Sequence, residues 1–183
     1  MKILMHMCCA PCAVYPTQKL LQEKKEIFGL FFNPNIHPIE EYQRRRDTLI
    51  EFSKKTNIPI ELIDGFMQSE WETFDGTDDE RCEMCYSIRL QLAAKYALDN
   101  NFDAYTTSLL VSPYQKHDLI KDLGQKIGDN IGVPFYYEDF RTGYRAGQQK
   151  AKELGLYRQK YCGCIISYNN TILKKFNNQK LAK

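Results

Sequence analysis

Short apolar runs alternate with longer amphipathic segments along this chain, and this alternation limits its fold more than any other feature. The runs "KILMHM" (2–7) and "IFGLFF" (27–32) have the length of buried strands. Further strands are expected at residues 58–63, 104–113 and 135–140. Strands separated by helical segments are typical of βαβ units around a mostly parallel sheet. The sequence therefore predicts an α/β protein whose sheet is flanked by helices.

The segments between these runs predict the helices and the domain plan. Helices are expected at residues 14–25, 39–56, 81–100, 119–131, 146–154 and 166–177. Residues 65–79, with the only tryptophan, are expected to form an irregular acidic insertion. A chain of 183 residues fits one domain, here taken as residues 1–183. Ligands of open parallel sheets bind beyond the carboxyl ends of the strands, which places residues 8–12 and 33–37 on one rim.

Composition narrows the class of protein. The start of the chain lacks a basic leader with a cleavage site, and no stretch approaches the roughly 18 apolar residues of a membrane span. We therefore expect a cytoplasmic protein with no membrane partner. In a reducing compartment, seven cysteines are more often metal ligands or redox thiols than bridges. The net charge of +2 does not by itself indicate nucleic-acid binding. Basic clusters at residues 44–46, 141–160 and 174–183 fit either solvated helix faces or phosphate contacts.

The cysteines fall into three groups far apart in the chain. They are Cys8, Cys9 and Cys12 in "CCAPC", Cys82 and Cys85 in "RCEMC", and Cys162 and Cys164 in "CGC". Adjacent cysteines cannot form a bridge without distorting the backbone, since bridged Cα atoms lie about 4.4–6.8 Å apart. A spacing of three residues puts two thiols on one face of a helix, and a glycine between two cysteines lets their sulfurs meet. We expect all three groups to converge on one pocket.

Several uses of these thiols remain open on spacing alone. A structural zinc site would use Cys9, Cys12, Cys82 and Cys85 and would leave three cysteines idle. A thioredoxin-like pair in "CAPC" would leave five unexplained. The pair in "RCEMC" would instead pack in a core, but the flanking Arg81, Glu83 and Arg89 favour an exposed helix start. A [4Fe-4S] cluster takes four thiolates, and three remain for a second iron or a redox pair.

Other side chains are candidates for substrate contact because of their place in the chain. They are Asn33, Asn35 and His37 in the rim loop, Asp139 and Arg141 at the end of a predicted strand, and Arg158 and Tyr161 beside the CGC element. The asparagines are equally explained by turn formation. His6 lies in a predicted strand, where a structural role is favoured.

Seven motifs occur in order between His6 and Cys164: "HMCCAPC", "NPNIHP", "EYQRRR", "RCEMCYSIRL", "SPYQKH", "GVPFYYEDFR" and "LGLYRQKYCGC". Together they resemble the cobalamin-independent epoxyqueuosine reductase family. The resemblance implies a Rossmann-like fold of the adenine-nucleotide hydrolase-like, PP-loop-related group, with an iron-sulfur cluster in place of a phosphate-binding loop. It also implies the two-electron deoxygenation of epoxyqueuosine to queuosine in the anticodon loop of tRNA.

The resemblance assigns roles to the thiols. Cys8, Cys9, Cys82 and Cys85 match the positions associated with a [4Fe-4S] cluster. Cys162 and Cys164 match a pair that is either a redox-active disulfide or ligands near a second iron, and Cys12 suits that additional iron because the family also permits an acidic residue there. An external electron donor is implied, since side chains other than thiols supply no electrons. The rival functions are a zinc-stabilised RNA-binding module and a thiol-disulfide oxidoreductase.

Overall fold

The structure, a computed structural model, describes residues 1–173. Its four strands are β1 (Lys2–His6), β2 (Glu26–Phe31), β3 (Ile60–Leu62) and β4 (Ala104–Thr107). Its α-helices are α1 (Ala10–Gln22), α2 (Ile39–Thr56), α3 (Gln68–Glu72), α4 (Asp78–Asp99), α5 (His117–Ile131), α6 (Tyr144–Glu153) and α7 (Ile165–Tyr168). The strands form one parallel sheet in the order β3-β2-β1-β4, so the predicted α/β fold with a parallel sheet is confirmed.

The central strand β1 fixes where the functional edge lies. Met5 pairs with Gly29 of β2 on one side and with Thr106 of β4 on the other. A Cβ atom on Gly29 would lie 2.7 Å from the Met7 sulfur, so a larger residue at this position would displace the Met7 side chain. Because all four strands are parallel, their carboxyl ends meet at one edge, and the segments that follow β1, β2 and β4 leave the sheet there.

Three of the predicted strands are shorter in the structure, among them the one expected at residues 58–63, which covers only Ile60–Leu62. Residues 135–140 contribute a single bridge, in which Phe135 pairs with Tyr105. The Asp139 carboxylate then accepts the backbone N–H of Arg141 at 3.0 Å and begins a 3₁₀ turn at Phe140–Gly143, which takes the chain out of the sheet. The strand expected at residues 104–113 ends at Thr107, because a second 3₁₀ turn occupies Ser108–Val111.

The helix boundaries also differ from expectation at the amino ends. α1 begins at Ala10 and not at residue 14, with Pro11 in its first turn, so Cys12 lies inside a helix. α4 begins at Asp78 and not at residue 81, because Thr77 and Glu80 form a reciprocal capping box. The acidic insertion at residues 65–79 is irregular except for α3, which buries Trp71, and for its last two residues, which belong to α4.

Near the described end of the chain, α7 is followed by a π-helical turn at Asn169–Leu173, and the rest of the helix expected at 166–177 lies outside the described residues. A small cluster of Trp71, Cys85 and Ile165 packs beside the main core. It brings α3, α4 and α7 together. Within residues 1–173, none of the helices is long and apolar enough to cross a membrane. One domain over residues 1–183 stays a prediction.

Candidate metal centre in a thiol pocket

The three cysteine groups meet at one cavity of about 230 Å³ beyond the carboxyl ends of the strands. Six of the seven cysteines line it: Cys8, Cys12, Cys82, Cys85, Cys162 and Cys164. Cys9 lies behind them, 1% exposed, with its sulfur 3.8 Å from that of Cys8. The expected convergence of the three groups is confirmed.

The group after β1 is the most compact. The sulfur atoms of Cys8, Cys9 and Cys12 all lie within 4.8 Å of one another, and all three residues are buried. Cys9 caps α1 in an extended conformation and Cys12 follows in the first turn, so the start of the helix folds the sulfurs together. We call Cys8, Cys9 and Cys12 the thiol triad.

Neutral side chains surround the triad. The Gln159 amide donates to the sulfurs of Cys9 at 3.0 Å and Cys12 at 3.4 Å. The Ser108 hydroxyl lies 3.4 Å from the sulfur of Cys8 and can donate to it. Hydrogen bonds to sulfur stabilise thiolate and are characteristic of iron-sulfur sites.

The triad does not hold three negative charges without a cation. Hydrogen bonds from Cys12 and Cys9 hold the pKa of the Cys8 thiol well below its usual range. Burial raises the pKa of Cys9, and the hydrogen bond with Cys8 raises that of Cys12. One thiolate forms readily, and two more form when a metal ion compensates the charge. Closely spaced, buried sulfur donors fit iron, zinc or an iron-sulfur cluster.

The pair on α4 faces the same cavity with an unusual neighbour. Arg89 is only 3% exposed, and its guanidinium donates to the Cys85 sulfur at 3.1 Å and the Cys85 carbonyl at 2.9 Å. Burial raises the pKa of Cys85 to about 11 and also raises that of Cys82. Arg89 forms no ion pair with a carboxylate among residues 1–173, and a buried cation of this kind requires a nearby negative charge. The cysteines that line the same cavity can supply this charge when they are ionised.

The sequence interpretation of Arg89 was wrong. The residues that flank this pair in the sequence predict an exposed helix start, but Arg89 is buried and so is Cys85, at 9% exposed. Cys82 is half-buried. Cys82 and Cys85 are therefore packed on one side and open to the cavity on the other. Core packing and metal binding, the two alternatives that their spacing left open, are both compatible with this position.

The third group lies on a tight loop before α7. The sulfurs of Cys162 and Cys164 are 3.8 Å apart, and Gly163 between them has φ +141°, a conformation that favours glycine. A hydrogen bond from Cys164 lowers the pKa of Cys162 to about 5. Negative charge on Cys162 adds to burial in raising the pKa of both α4 thiols, and all four cysteines line the cavity.

Arg45 of α2 holds this loop in place. Its guanidinium donates to the carbonyls of Cys162 at 3.0 Å and Tyr161 at 3.1 Å, and it is paired with Glu41 at 2.8 Å. Arg45 is 2% exposed, so the basic run "RRR" is not one solvated face, and Arg44 is its exposed member. The backbone N–H of His37 also donates to the Gly163 carbonyl at 2.8 Å.

The rim loop contributes one side chain to the cavity and two to its framework. Asn35 lines the cavity, and its buried carbonyl oxygen has no hydrogen-bond partner among the described residues. Asn33 donates to the Met7 carbonyl at 3.0 Å and contacts His6. His37 is 0% exposed and accepts the Ile165 N–H at 3.1 Å. The structural role favoured for His6 agrees with its full burial.

Of the remaining candidates for substrate contact, one lines the cavity and three do not. Tyr161 lines the cavity and donates its hydroxyl proton to the His37 carbonyl. Asp139 and Arg141 form an exposed ion pair at 2.6 Å and are not among the lining residues. Arg158 contacts a lining residue, Gln148, but is itself exposed and outside the lining.

Sequence reasoning missed several lining or supporting side chains: Arg89, Ser108, Tyr114, Gln115, Tyr144, Gln148 and Gln159. The one sequence signal that could have found some of them is their closeness in the chain to the cysteine motifs and to "SPYQKH".

The fold and the site define a class: a Rossmann-like α/β protein with a cysteine-lined pocket at the sheet edge, suited to a metal or redox centre. The sequence profile of the family described as "Epoxyqueuosine reductase QueH" matches residues 3–170. The chain belongs to this family.

Two relatives and one solved structure illustrate the similarity. The epoxyqueuosine reductase QueH of Dehalococcoides mccartyi is 32% identical over 167 residues, which are 91% of this chain and 92% of the relative. That of Acinetobacter baylyi is 33% identical over 179 residues, 93% of this chain and 82% of the relative. The structure titled "predicted subunit of tRNA methyltransferase" from Methanocaldococcus jannaschii covers 82% of this chain and 75% of its own, with 10% identity and a TM-score of 0.50. This last likeness concerns the fold alone.

Proposed function

We propose that this chain is an epoxyqueuosine reductase, which removes the epoxide oxygen of epoxyqueuosine in tRNA to give queuosine. The observation that carries the proposal is the meeting of six thiols on one cavity in a member of that family. The reaction consumes two electrons and two protons and releases one water for each alkene formed. Because the cavity lies at the edge of the sheet, a single nucleotide can enter it while the rest of the RNA stays outside.

The proposed cofactor is a [4Fe-4S] cluster held by Cys8, Cys9, Cys82 and Cys85, with Cys12, Cys162 and Cys164 left for an additional iron or a redox pair. When bound, such a centre supplies electrons one at a time and Lewis acidity toward the epoxide oxygen. The compact triad and the four further cysteines at the same cavity support a cysteine-ligated centre and are compatible with other allocations of the seven thiols. The buried charge of Arg89 favours a centre that keeps its thiolates negative.

The side chains of the cavity hold the substrate in this proposal. The unpartnered oxygen of Asn35 is available to accept an N–H of the base, and a buried acceptor gains about 1–3 kcal/mol when it is satisfied. Gln115 and Gln148 also line the cavity and offer amide groups. Leu109 and Trp71 are buried lining residues that present apolar surface.

The proposed partners are tRNA and an external electron donor, in the cytoplasm, where thiols stay reduced. The exposed basic residues Lys160 and Arg158 would follow the phosphate backbone. The basic cluster expected at residues 174–183 lies outside the described residues. Because such contacts with phosphate are electrostatic, the affinity for tRNA should fall steeply as the salt concentration is raised.

The test is anaerobic purification, with iron and sulfide analysis and reduction of epoxyqueuosine-containing tRNA followed by nucleoside analysis. We expect a brown protein that forms queuosine, and serine variants of Cys82 or Cys85 that do not. Ser87→Ala, on the same helix but outside the lining, is the matched control and should keep its activity. A colourless zinc protein that binds RNA without turnover would contradict the proposal, as would turnover that survives loss of Cys82 and Cys85.

A further inference from the structure

Tyr114 lies at the mouth of the thiol pocket with its ring in solvent. It lines the same cavity as the cysteines, yet 80% of its surface is exposed, more than that of any other large apolar side chain in residues 1–173. An aromatic ring displayed in this way beside a deep polar pocket has apolar surface available for a ligand. Pocket and ring together form a surface that a flat group can cover.

The loop that carries Tyr114 is fixed by hydrogen bonds. The N–H groups of Tyr114 and Gln115 donate to the side chain and the carbonyl of Ser112, at 3.3 Å and 3.4 Å. From α4, the Tyr86 hydroxyl donates to the Gln115 side chain at 2.7 Å and accepts the Lys116 N–H at 3.3 Å. The ring is thus presented from an anchored loop, and binding on it does not require the backbone to be ordered first.

The surroundings of the ring match the chemistry of single-stranded RNA. Tyr144 meets Tyr114 edge to face, with ring centres 5.8 Å apart at 82°, and both rings line the cavity. Lys160 also lines the cavity, is exposed and forms no salt bridge within the described residues, whereas Lys116 is paired with Asp79. Aromatic rings beside free cations are the usual means by which proteins hold unpaired nucleotides.

We propose that Tyr114 is a stacking platform for the nucleobase that neighbours the one entering the pocket. The inference rests on the proposed function for the identity of the RNA, and it adds a binding subsite outside the thiol cavity. When one base is turned into the pocket, the adjacent base loses its stacking partner in the loop. The Tyr114 ring replaces that partner.

The test measures the binding of an anticodon stem-loop RNA to the anaerobically purified protein by fluorescence anisotropy. The RNA carries unmodified guanine at the wobble position, so that no turnover occurs. Tyr114→Ala should weaken binding about tenfold, since stacking on an aromatic side chain is generally worth about 5- to 150-fold per base. Tyr114→Phe should bind like the wild type. Tyr137→Ala is the matched control, because Tyr137 is also exposed but does not line the cavity.

Two further measurements separate stacking from a general loss of structure. RNAs that are abasic at the nucleotide 5′ or 3′ of the wobble position should identify one neighbour whose removal abolishes the effect of Tyr114→Ala. The slope of log affinity against log salt should be unchanged in Tyr114→Ala but reduced by about one in Lys160→Ala, since only the latter loses a phosphate contact.

The inference is overturned if Tyr114→Ala binds like the wild type, if Tyr114→Phe binds as weakly as Tyr114→Ala, or if the penalty persists on every abasic RNA. Failure of the reductase assay with the wild-type protein would refute the proposed function without altering these binding results. Normal reductase activity of the wild type, together with unaltered RNA binding of Tyr114→Ala, would refute the stacking subsite alone.

Discussion

Replacing Arg45 by methionine should test how the CGC loop is held. Arg45 and Glu41 are 2% and 6% exposed in their side chains and lie 2.8 Å apart, and the same guanidinium binds the carbonyls of residues 161 and 162. Methionine fills much of the same volume but removes the charge and all three contacts. Glu41 would then be a buried carboxylate that keeps a hydrogen bond from the Tyr157 hydroxyl at 2.8 Å and has only the exposed guanidinium of Arg44, at 3.8 Å, as a nearby cation.

The expected loss follows from the burial of both partners. Breaking a buried ion pair by removing one partner generally costs about 3–5 kcal/mol, and the remaining Tyr157 hydrogen bond favours the lower end, about 3 kcal/mol. In a chain of this size, each 1 kcal/mol shifts the melting temperature by about 2–4 °C, so the variant should melt about 6–12 °C below the wild type. The free energy of unfolding of a typical domain, about 5–15 kcal/mol, exceeds this loss, so the variant should remain folded at 25 °C.

Thermal unfolding followed by circular dichroism, with chelator in every sample so that metal does not contribute, measures this effect. The double variant Glu41→Gln/Arg45→Met should recover at least half of the loss, because no uncompensated carboxylate remains. Arg44→Met is the exposed control, at 56% exposed and 3.8 Å from Glu41, and should cost under about 1 kcal/mol. A single variant within about 1 kcal/mol of the wild type, or a double variant no better than the single, would refute the reasoning from burial.

Three other predictions concern the pocket and its flank. Gly163→Ala should lose about 1–3 kcal/mol of stability in urea unfolding, because φ is +141° and a Cβ would lie 3.3 Å from two side-chain nitrogens. Gly132→Ala should lose less, because nothing lies within 4 Å of a Cβ at that position. Arg89→Met should weaken iron binding about 10- to 100-fold in chelator competition, and Arg81→Met, whose charge is paired with a carboxylate at 2.8 Å, should not. Burial lowers the pKa of His117 below 6.5, so the stability that its neutral form contributes is complete above about pH 6.5 and declines as the pH falls. The melting temperature of His117→Gln should therefore fall less between pH 8 and pH 5 than that of the wild type. An identical fall in both proteins would contradict this.

Local sequence pattern was sufficient for the order and type of most elements. The helix expected at 39–56 is observed at Ile39–Thr56, and the strands at 2–7 and 27–32 lie within one residue of their predicted ends. Apolar periodicity and turn residues are properties of neighbouring residues, so they can be read along the chain. The parallel arrangement then followed from the alternation of strands and helices, and it placed the cysteine-bearing segment 8–12 and the loop 33–37 on one rim.

The strand expected at 135–140 illustrates where that reasoning stops. Its apolar and aromatic residues suit a strand, but pairing depends on the partner available beside β4, and only Phe135 finds one. Asp139 then starts a turn through its own side chain. Local propensity cannot decide between a ladder and a turn when the neighbouring edge is short.

The sequence by itself determined the three cysteine groups and the alternation of strands and helices that builds the parallel sheet. Only the tertiary structure decided that Arg89 and Arg45 are buried beside those thiols, that the triad includes Cys12, and that Tyr114 remains exposed at the pocket mouth. The physical reason is sequence separation. Contacts such as those from Arg45 to Cys162 and from Gln159 to Cys9 join residues more than 100 positions apart, and their geometry is set by how helices pack on the sheet and not by the pattern of either segment.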